Sequence, residues 1–189
     1  MSTALRTPMT VAEFLAWEER QELRYEFDGE RPIAMTGGSL GHDDITSNLR
    51  AALKSRLAGG RCRPFGPNVK IVVAGRVRYP DVVVVCSPQD RRATIADAPV
   101  VVFEVLSAST SRTDRIDKAR EYFATASIQR YVILEQDSIA ATVLERMRQA
   151  WQSTPMTGDG VLVMPEIGIS LPLAECYAGV EIGDPPEDA

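Results

Sequence analysis

The spacing of apolar residues in the first third of the chain predicts a helix, a hairpin and a second helix. Thr10 and Glu13 form a capping-box pair at the start of VAEFLAWEER, which is typical of a short amphipathic helix. The runs LRYEF and RPIAM flank an Asp-Gly pair, a strong local signal for a β-hairpin. From about 42 to 57 apolar residues recur at helical spacing, and a Gly-Gly pair ends that helix.

The middle of the chain carries three strand-like runs, a helix and a further strand. The three runs are VKIVV (69–73), VVVV (82–85) and VVVFEVL (100–106). Four consecutive β-branched residues indicate a strand that is buried on both faces. A helix is predicted over about 113–126 and a strand over RYVIL (130–134), so the order is αβββαβ. Further strands are predicted from about 138 onward.

Length and composition predict one soluble domain. The chain has 189 residues, of which 44% are hydrophobic, and we expect a single domain over 1–189 with flexible ends at 1–9 and 183–189. No apolar run approaches the roughly 18 residues that a membrane span needs, and the start does not resemble a signal peptide. Three cysteines without CxxC spacing argue against a disulfide framework or a zinc site. The expected location is therefore the reducing cytoplasm.

The charges are distributed unevenly along the chain. The formal net charge is −5, which by itself disfavours nucleic acid as a partner. However, the window 45–80 contains no acidic residue and eight basic ones. Such a segment could face phosphate groups, or it could be an ordinary solvated helix face with arginines at turns. The residues predicted to contact nucleic acid are Arg50, Lys54, Arg61, Arg63, Lys70, Arg76 and Arg78.

Two carboxylates occupy the apolar strands in the middle of the chain. Asp81 opens the four-valine strand, and Glu104 interrupts the next strand. If these strands pair as an antiparallel hairpin, both carboxylates reach the same end of the sheet. Two such groups in a dry place repel each other, and a Mg²⁺ ion, which takes one or two carboxylates plus waters and phosphate oxygens, would remove that repulsion. Alternatively, Asp81 caps a local amide and Glu104 belongs to a structural ion pair.

The next helix places three functional side chains on one face. Asp114, Lys118 and Tyr122 follow one another at intervals of four residues. A lysine that faces the two carboxylates could orient or deprotonate an attacking water, or stabilise charge on a phosphate. The alternative is a solvent-exposed lysine paired with Asp114, which is commonplace on helices. The single histidine, His42, excludes a histidine-rich metal site within one chain.

Seven segments between about Thr10 and Tyr177, taken in order, carry a resemblance to a known family. They are RYEFDGE (24–30), His42 at the head of a helix, YPDVVVVC (79–86), VVFEVLSAST (101–110), DRIDKAREY (114–122), IQRYVIL (128–134) and ISLPLAECY (169–177). As a set they resemble the Uma-type putative restriction endonuclease family of the PD-(D/E)XK nuclease superfamily. The resemblance implies a restriction-endonuclease-like α/β fold. Its αβββαβ core holds a central mixed sheet flanked by helices, and an N-terminal helix and hairpin and C-terminal strands are added to it.

The resemblance also implies a role for each site residue. Asp81 and Glu104 would bind the metal together with the backbone carbonyl of Val105. The usual motif has a lysine two positions after the glutamate, where this chain has Leu106, and Lys118 matches a lysine that the family carries on the next helix.

Glu26 matches an acidic position in the first hairpin of the family. By resemblance it would bind a second cation or orient Lys118. The alternative is that Glu26 is an exposed charge on the hairpin.

These inferences lead to one main hypothesis and two alternatives. The main one is a Mg²⁺- or Mn²⁺-dependent endonuclease that hydrolyses DNA phosphodiester bonds and acts as a homodimer, because a double-strand cut needs two sites. The second is a DNA-binding or dimeric interaction protein with a nuclease fold and little or no cleavage. The third is a hydrolase of a non-nucleic phosphoester, although the chain lacks a GxxxxGK[ST] loop and no nucleotide cofactor or membrane partner is expected. The direction of Lys118, toward the carboxylates or toward solvent, distinguishes the first two.

Overall fold

The computed structural model describes residues 9–106, 112–148 and 150–182, with only the backbone of 112–115. The helices in these ranges are α1 (Val11–Glu18), α2 (Leu40–Arg56) and α3 (Arg112–Ala124), and none is long and apolar enough to cross a bilayer. The strands are β1 (Tyr25–Phe27), β2 (Pro32–Ala34), β3 (Arg63–Phe65), β4 (Ile71–Val73), β5 (Arg76–Arg78), β6 (Val82–Val85), β7 (Pro99–Leu106), β8 (Arg130–Glu135), β9 (Ala140–Arg146), β10 (Trp151–Thr157), β11 (Val161–Met164) and β12 (Ile169–Pro172). A 3₁₀ helix, Leu173–Tyr177, follows β12. Of the ends predicted to be flexible, only Met9 belongs to the described residues.

A six-stranded mixed sheet forms the centre of the molecule. Its order is β10-β9-β8-β7-β6-β3, and its neighbours are antiparallel except for the pair β7 and β8, which the crossover helix α3 connects. Strands β6 and β7 form the predicted antiparallel hairpin, with Val82 opposite Phe103. All four valines of β6 are at most 1% exposed, which confirms the strand buried on both faces. The predicted α/β fold with a central mixed sheet is therefore correct.

The alternation of side chains along β6 and β7 divides the core between two faces of this sheet. Val82, Val84 and Val105 pack on the face that α2 and the hairpin β11–β12 cover. Val83 and Leu106 pack on the opposite face, with residues of α3 and β4. Because successive side chains of a strand point to opposite faces, residue 104 must face α3. This alternation decides which helix can reach the acidic position in β7.

One predicted core strand belongs instead to a second, smaller sheet. The segment 69–73 was predicted as the first of the three middle strands, but β4 pairs with β5 in a four-stranded sheet of order β2-β1-β5-β4. Ala74 and Gly75 both have positive φ, as a tight hairpin turn between β4 and β5 requires. The strand beside β6 is β3, whose sequence RPF lacks an apolar run. The residue types therefore predict which segments are extended, whereas the turn between β4 and β5 decides which strands pair.

The cysteines also differ from expectation. Cys62 and Cys86, which flank the paired strands β3 and β6, form a disulfide, so the expectation of no disulfide was wrong. The two residues face each other because Arg63 and Val85, one step inward, are register partners. The third cysteine, Cys176, is free and buried. Cysteine usage therefore gives no support to a reducing compartment.

Candidate active site

The two predicted carboxylates meet at one end of the central sheet. Asp81 immediately precedes β6, and the register that places Val82 opposite Phe103 brings Asp81 beside Glu104. Glu104 is 5% exposed, and Asp81 Oδ2 accepts a hydrogen bond of 2.7 Å from the N–H of Val105. The N–H and C=O of a strand residue point to the same side, so the Val105 carbonyl lies on the same edge of β7 as the N–H that reaches Asp81. The hairpin thus brings these three residues together, as the predicted pairing required.

Helix α3 adds a lysine and a tyrosine to Glu104. Lys118 Nζ donates to Glu104 Oε1 at 3.1 Å, and the Tyr122 hydroxyl donates to the same oxygen at 2.8 Å. The Lys118 side chain is only 19% exposed, so it is not the solvent-exposed lysine of the alternative interpretation. The predicted helix face is confirmed for Lys118 and Tyr122, whereas the side chain of Asp114 lies outside the described residues.

Burial and like charge oppose ionisation of Glu104. Desolvation is the largest cause that raises the pKa of Glu104, to about 7, and the charges of Asp81 and Glu26 act in the same direction. Burial alone would lower the pKa of Lys118, but the carboxylates of Glu104 and Glu26 outweigh it and raise the pKa of Lys118 above its ordinary value. Lys118 is therefore protonated at neutral pH, so it is suited to donate hydrogen bonds and unsuited to accept a proton.

Glu26, on β1, belongs to the same cluster. Its carboxylate lies 3.7 Å from Lys118 Nζ and accepts hydrogen bonds of 3.1 Å from Arg78 Nη1 and from the backbone N–H of Tyr79. Arg78 in turn donates to both carboxylate oxygens of Glu121 on α3, at 2.7 and 2.6 Å. The side chain of Glu26 is 15% exposed, which contradicts the alternative of an exposed hairpin charge.

Two residues that we predicted to contact nucleic acid are buried in ion pairs. Lys70 pairs with Glu18, and Arg78 pairs with Glu26 and Glu121, and each basic residue is only 6% exposed. Their place in the predicted phosphate-contacting set was wrong, because both side chains are buried against carboxylates. These carboxylate partners lie 52 and 43 positions away in the chain. A count of charges within one sequence window does not include partners this far away in the chain.

The other predicted basic residues remain at the surface. Arg50 and Lys54 are exposed on α2, and Arg61 and Arg63 are exposed just before and within β3. Arg76 is partly exposed and lies 3.1 Å from Glu121. At 1.5 Å per helical residue, the two α2 side chains lie about 12 and about 18 Å along the helix from its residue 42. The basic surface therefore extends away from the carboxylates along α2.

His42 is a contact of the site that the sequence analysis left without a role. Its Nε2 lies 2.9 Å from Asp81 Oδ1, and the side chain is 24% exposed. The hydrogen bond to Asp81 is the largest cause that raises the pKa of His42, and burial opposes it. The available signal was the position of this single histidine at the head of a predicted helix, but no pattern along the chain indicates that it meets residue 81.

The donor set is consistent with a hard divalent cation. Within the described ranges, no three His, Cys, Asp or Glu side chains come together as a metal-binding group. The arrangement offers two carboxylates, Asp81 and Glu104, and one backbone carbonyl, and Mg²⁺ and Mn²⁺ favour such oxygen ligands completed by water. Burial, together with the charges of Asp81 and Glu26, raises the pKa of Glu104, and a bound cation would favour its ionised form. These residues therefore fit Mg²⁺ or Mn²⁺ with few protein ligands.

The sequence matches one family over most of its length. The family described as "Uma2: Putative restriction endonuclease" matches residues 11–174, which include the whole site described above. The chain belongs to this family, which confirms the resemblance found in the sequence.

Among similar proteins are two from Synechocystis sp. (strain ATCC 27184 / PCC 6803 / Kazusa). The uncharacterized protein slr1290 is 32% identical over 172 residues, covering 89% of this chain and 90% of its own. The uncharacterized protein sll1609 is 27% identical over 141 residues, covering 72% and 80%.

The fold is also that of a solved structure. The crystal structure described as "a putative nuclease belonging to DUF820" from Anabaena variabilis ATCC 29413 matches with a TM-score of 0.73. The match covers 90% of this chain and 98% of that chain at 20% sequence identity. At this identity the likeness establishes the fold, and the chemistry has to be argued from the site itself.

Proposed function

We propose that the protein is a Mg²⁺- or Mn²⁺-dependent endonuclease that hydrolyses DNA phosphodiester bonds. The observation that carries this proposal is the position of Lys118, whose ammonium group donates to Glu104 beside Asp81 in a largely buried cluster. A lysine on solvent would have favoured a protein that binds DNA without cutting it. Membership of the Uma2 family supports the same reaction class.

Each side chain has a stated task in this reaction. Asp81, Glu104 and the carbonyl of Val105 hold the cation, which when bound supplies a Lewis acid that offsets phosphate charge. Lys118 is protonated, so it donates a hydrogen bond to the attacking water or to a phosphate oxygen as negative charge develops there. Glu26, 3.7 Å from Lys118 Nζ, is a second carboxylate that holds the ammonium group in place. The water oxygen forms the new bond to phosphorus and releases a proton to solvent, and the bond from phosphorus to the departing sugar oxygen breaks as that oxygen takes a proton from solvent.

The exposed basic residues supply the contacts to the DNA backbone in this proposal. They are Arg50, Lys54, Arg61 and Arg63, together with the partly exposed Arg76. Contacts of this kind position a duplex without reading its sequence, and they weaken as salt rises. Because the described residues form one such carboxylate site and a double-strand cut needs two, we further propose that the active form is a homodimer. Its measured mass in solution, with and without DNA, tests that part separately.

The test combines cation binding with cleavage. Mn²⁺ is titrated calorimetrically into the wild type, Asp81→Asn and Glu104→Gln, and each protein is then incubated with supercoiled plasmid and Mg²⁺. We expect binding and cleavage by the wild type and loss of both in the two variants, with unchanged circular dichroism. Asp159→Asn, which removes an exposed carboxylate from the turn after β10, is the matched control and should behave as the wild type.

Two results would contradict the proposal. Undiminished cleavage by Asp81→Asn and Glu104→Gln would remove both residues from the chemistry. DNA binding by the wild type without cleavage in either cation would favour the non-catalytic alternative.

A further inference from the structure

The imidazole of His42 is fixed in place at the edge of the candidate site. Its backbone N–H donates to the Ser39 side chain at 3.2 Å, which is the N-cap of α2. Its ring contacts Asp81 Oδ1 through Nε2 at 2.9 Å. A carboxylate oxygen can only accept a hydrogen bond, so Nε2 must carry the proton. The helix start and the hydrogen bond together define where the ring lies.

Gly38 leaves the space that this ring occupies. A Cβ atom built on Gly38 would lie 3.0 Å from Cδ2 and 3.1 Å from Cγ of His42, closer than side chains normally approach. A Cβ atom built on the neighbouring Gly37 would meet nothing within 4 Å. The ring is therefore enclosed between the Gly38 backbone and Asp81, and the adjacent glycine offers a matched control.

The Asp81 carboxylate is consequently held at both oxygens. His42 Nε2 contacts Oδ1 at 2.9 Å, and the Val105 N–H contacts Oδ2 at 2.7 Å. Two donors on opposite oxygens determine how the carboxylate is rotated about its Cβ–Cγ bond. A ligand that is already oriented loses little freedom when a cation binds, and such supporting contacts typically change metal affinity about 10- to 100-fold.

We propose that His42 is a positioning residue that orients Asp81 for the divalent cation and takes no direct part in the hydrolysis. This inference rests on the proposed function, because it assumes that Asp81 is a ligand. Two other roles are possible for a histidine here, a direct contact to the phosphate and a purely structural ion pair. They differ in what they predict for cation affinity in the absence of DNA.

The first experiment examines the hydrogen bond without any cation. His42 is the only histidine of the chain, so ¹⁵N–¹H NMR signals of an imidazole can be assigned to it without ambiguity. We expect a proton on Nε2 in the wild type and a changed ring spectrum in Asp81→Asn. A neutral ring with its proton on Nδ1 alone would overturn the proposal, because that form cannot donate to Asp81.

The second experiment measures Mn²⁺ affinity by calorimetry without DNA. We expect His42→Ala to bind Mn²⁺ roughly 10- to 100-fold more weakly than the wild type. His42→Gln, whose amide nitrogen can replace Nε2 as donor, should recover most of the affinity. Equal affinity in the wild type and His42→Ala would overturn the positioning role. So would an affinity that His42→Gln fails to recover although thermal unfolding shows the variant to be as stable as the wild type.

The glycine pair tests the enclosure of the ring without removing any functional group. Gly38→Ala should displace the ring and weaken Mn²⁺ binding, whereas Gly37→Ala should leave the Mn²⁺ affinity at its wild-type value. Equal Mn²⁺ affinity in the two variants would overturn the claim that the ring is held rigidly. If the wild type binds no Mn²⁺ at all, the proposed function itself fails, and that result is distinct from binding that is insensitive to residue 42.

Discussion

Two buried glutamates of this protein each accept hydrogen bonds from a lysine and a tyrosine, but their surroundings differ. Glu18 accepts hydrogen bonds from the Lys70 ammonium and, at 2.5 Å, from the Tyr79 hydroxyl, and we refer to these three residues as the Glu18 triad. Glu104 accepts from Lys118 and Tyr122 in the Glu104 triad. The glutamates are 6% and 5% exposed, so burial does not distinguish them.

The difference lies in how the donors and the neighbouring charges are arranged. In the Glu18 triad, Lys70 and Tyr79 donate to different oxygens of the carboxylate. In the Glu104 triad, both donors share Oε1, which within the described residues leaves Oε2 to other ligands. Burial and the neighbouring carboxylates of Asp81 and Glu26 raise the pKa of Glu104 to about 7. A glutamate, a lysine and a tyrosine therefore make either a closed ion pair or a site that attracts a cation, depending on surplus charge.

The largest expected effect comes from removing the lysine of the Glu104 triad, with removal of the lysine of the Glu18 triad as the comparison. Lys118→Met should lower the cleavage rate roughly 10²- to 10³-fold, because a donor to the developing phosphate charge is lost. The double variant Glu18→Gln/Lys70→Met removes both charges of the closed pair and should leave the rate per folded molecule unchanged. Single-turnover cleavage of plasmid DNA measures both rates. A comparable loss in the double variant would show that the two triads do not differ in function.

A smaller effect is expected in stability, and here the Glu18 triad should be the more sensitive of the two. Glu18→Gln leaves Lys70 buried beside a neutral amide, so the free energy of unfolding should fall by about 1–3 kcal/mol. Glu104→Gln relieves repulsion from Asp81 and Glu26, so it should cost less stability or none. Urea unfolding of both variants in EDTA at pH 8 measures this difference. A larger loss in Glu104→Gln would mean that its ion pair with Lys118 outweighs the repulsion.

The pH dependence of stability should also separate the triads. The pKa of Glu104 is raised from 4.5 to about 7, so the folded protein keeps a proton there that the unfolded chain has released. Between these two values, stability in EDTA should therefore fall as pH rises. Glu104→Gln should remove this part of the slope, and Glu18→Gln should retain it. Urea midpoints between pH 4.5 and 7.5 measure the slopes, and identical slopes in wild type and Glu104→Gln would contradict the assignment.

The smallest expected effect concerns DNA affinity, and it distinguishes the exposed Lys54 from the buried Lys70. Lys54→Ala should weaken DNA binding modestly and reduce the slope of log K against log salt by about 1, because one phosphate contact is lost. The variant with the Glu18 and Lys70 charges removed should keep the wild-type slope. Fluorescence anisotropy at several salt concentrations measures both. A reduced slope in the latter variant would place Lys70 back in the DNA interface.

Much of the fold could be predicted because the signals were local. The capping box of α1, the Asp-Gly hairpin and the buried four-valine strand were all confirmed. The missed features were pairings, namely the partnership of β4 with β5, the edge strand β3 and the disulfide between Cys62 and Cys86. Strand propensity indicates that a segment is extended, but it does not select the partner strand.

The candidate site divides in the same way. The sequence determined that Asp81 and Glu104 stand at the start and within neighbouring apolar strands, and that Lys118 and Tyr122 share one helix face. Those relations depend on the period of a strand or a helix, which the sequence specifies directly.

Only the tertiary structure decided which charges meet. It brought His42 to Asp81 and Glu26 to Lys118, and it enclosed Lys70 and Arg78 in ion pairs with residues far away in the chain. The energy of a charge depends on its burial and on the opposite charges within a few ångströms. Neither quantity exists along a linear chain, so a lysine of the interior and a lysine of the surface look alike until the chain has folded.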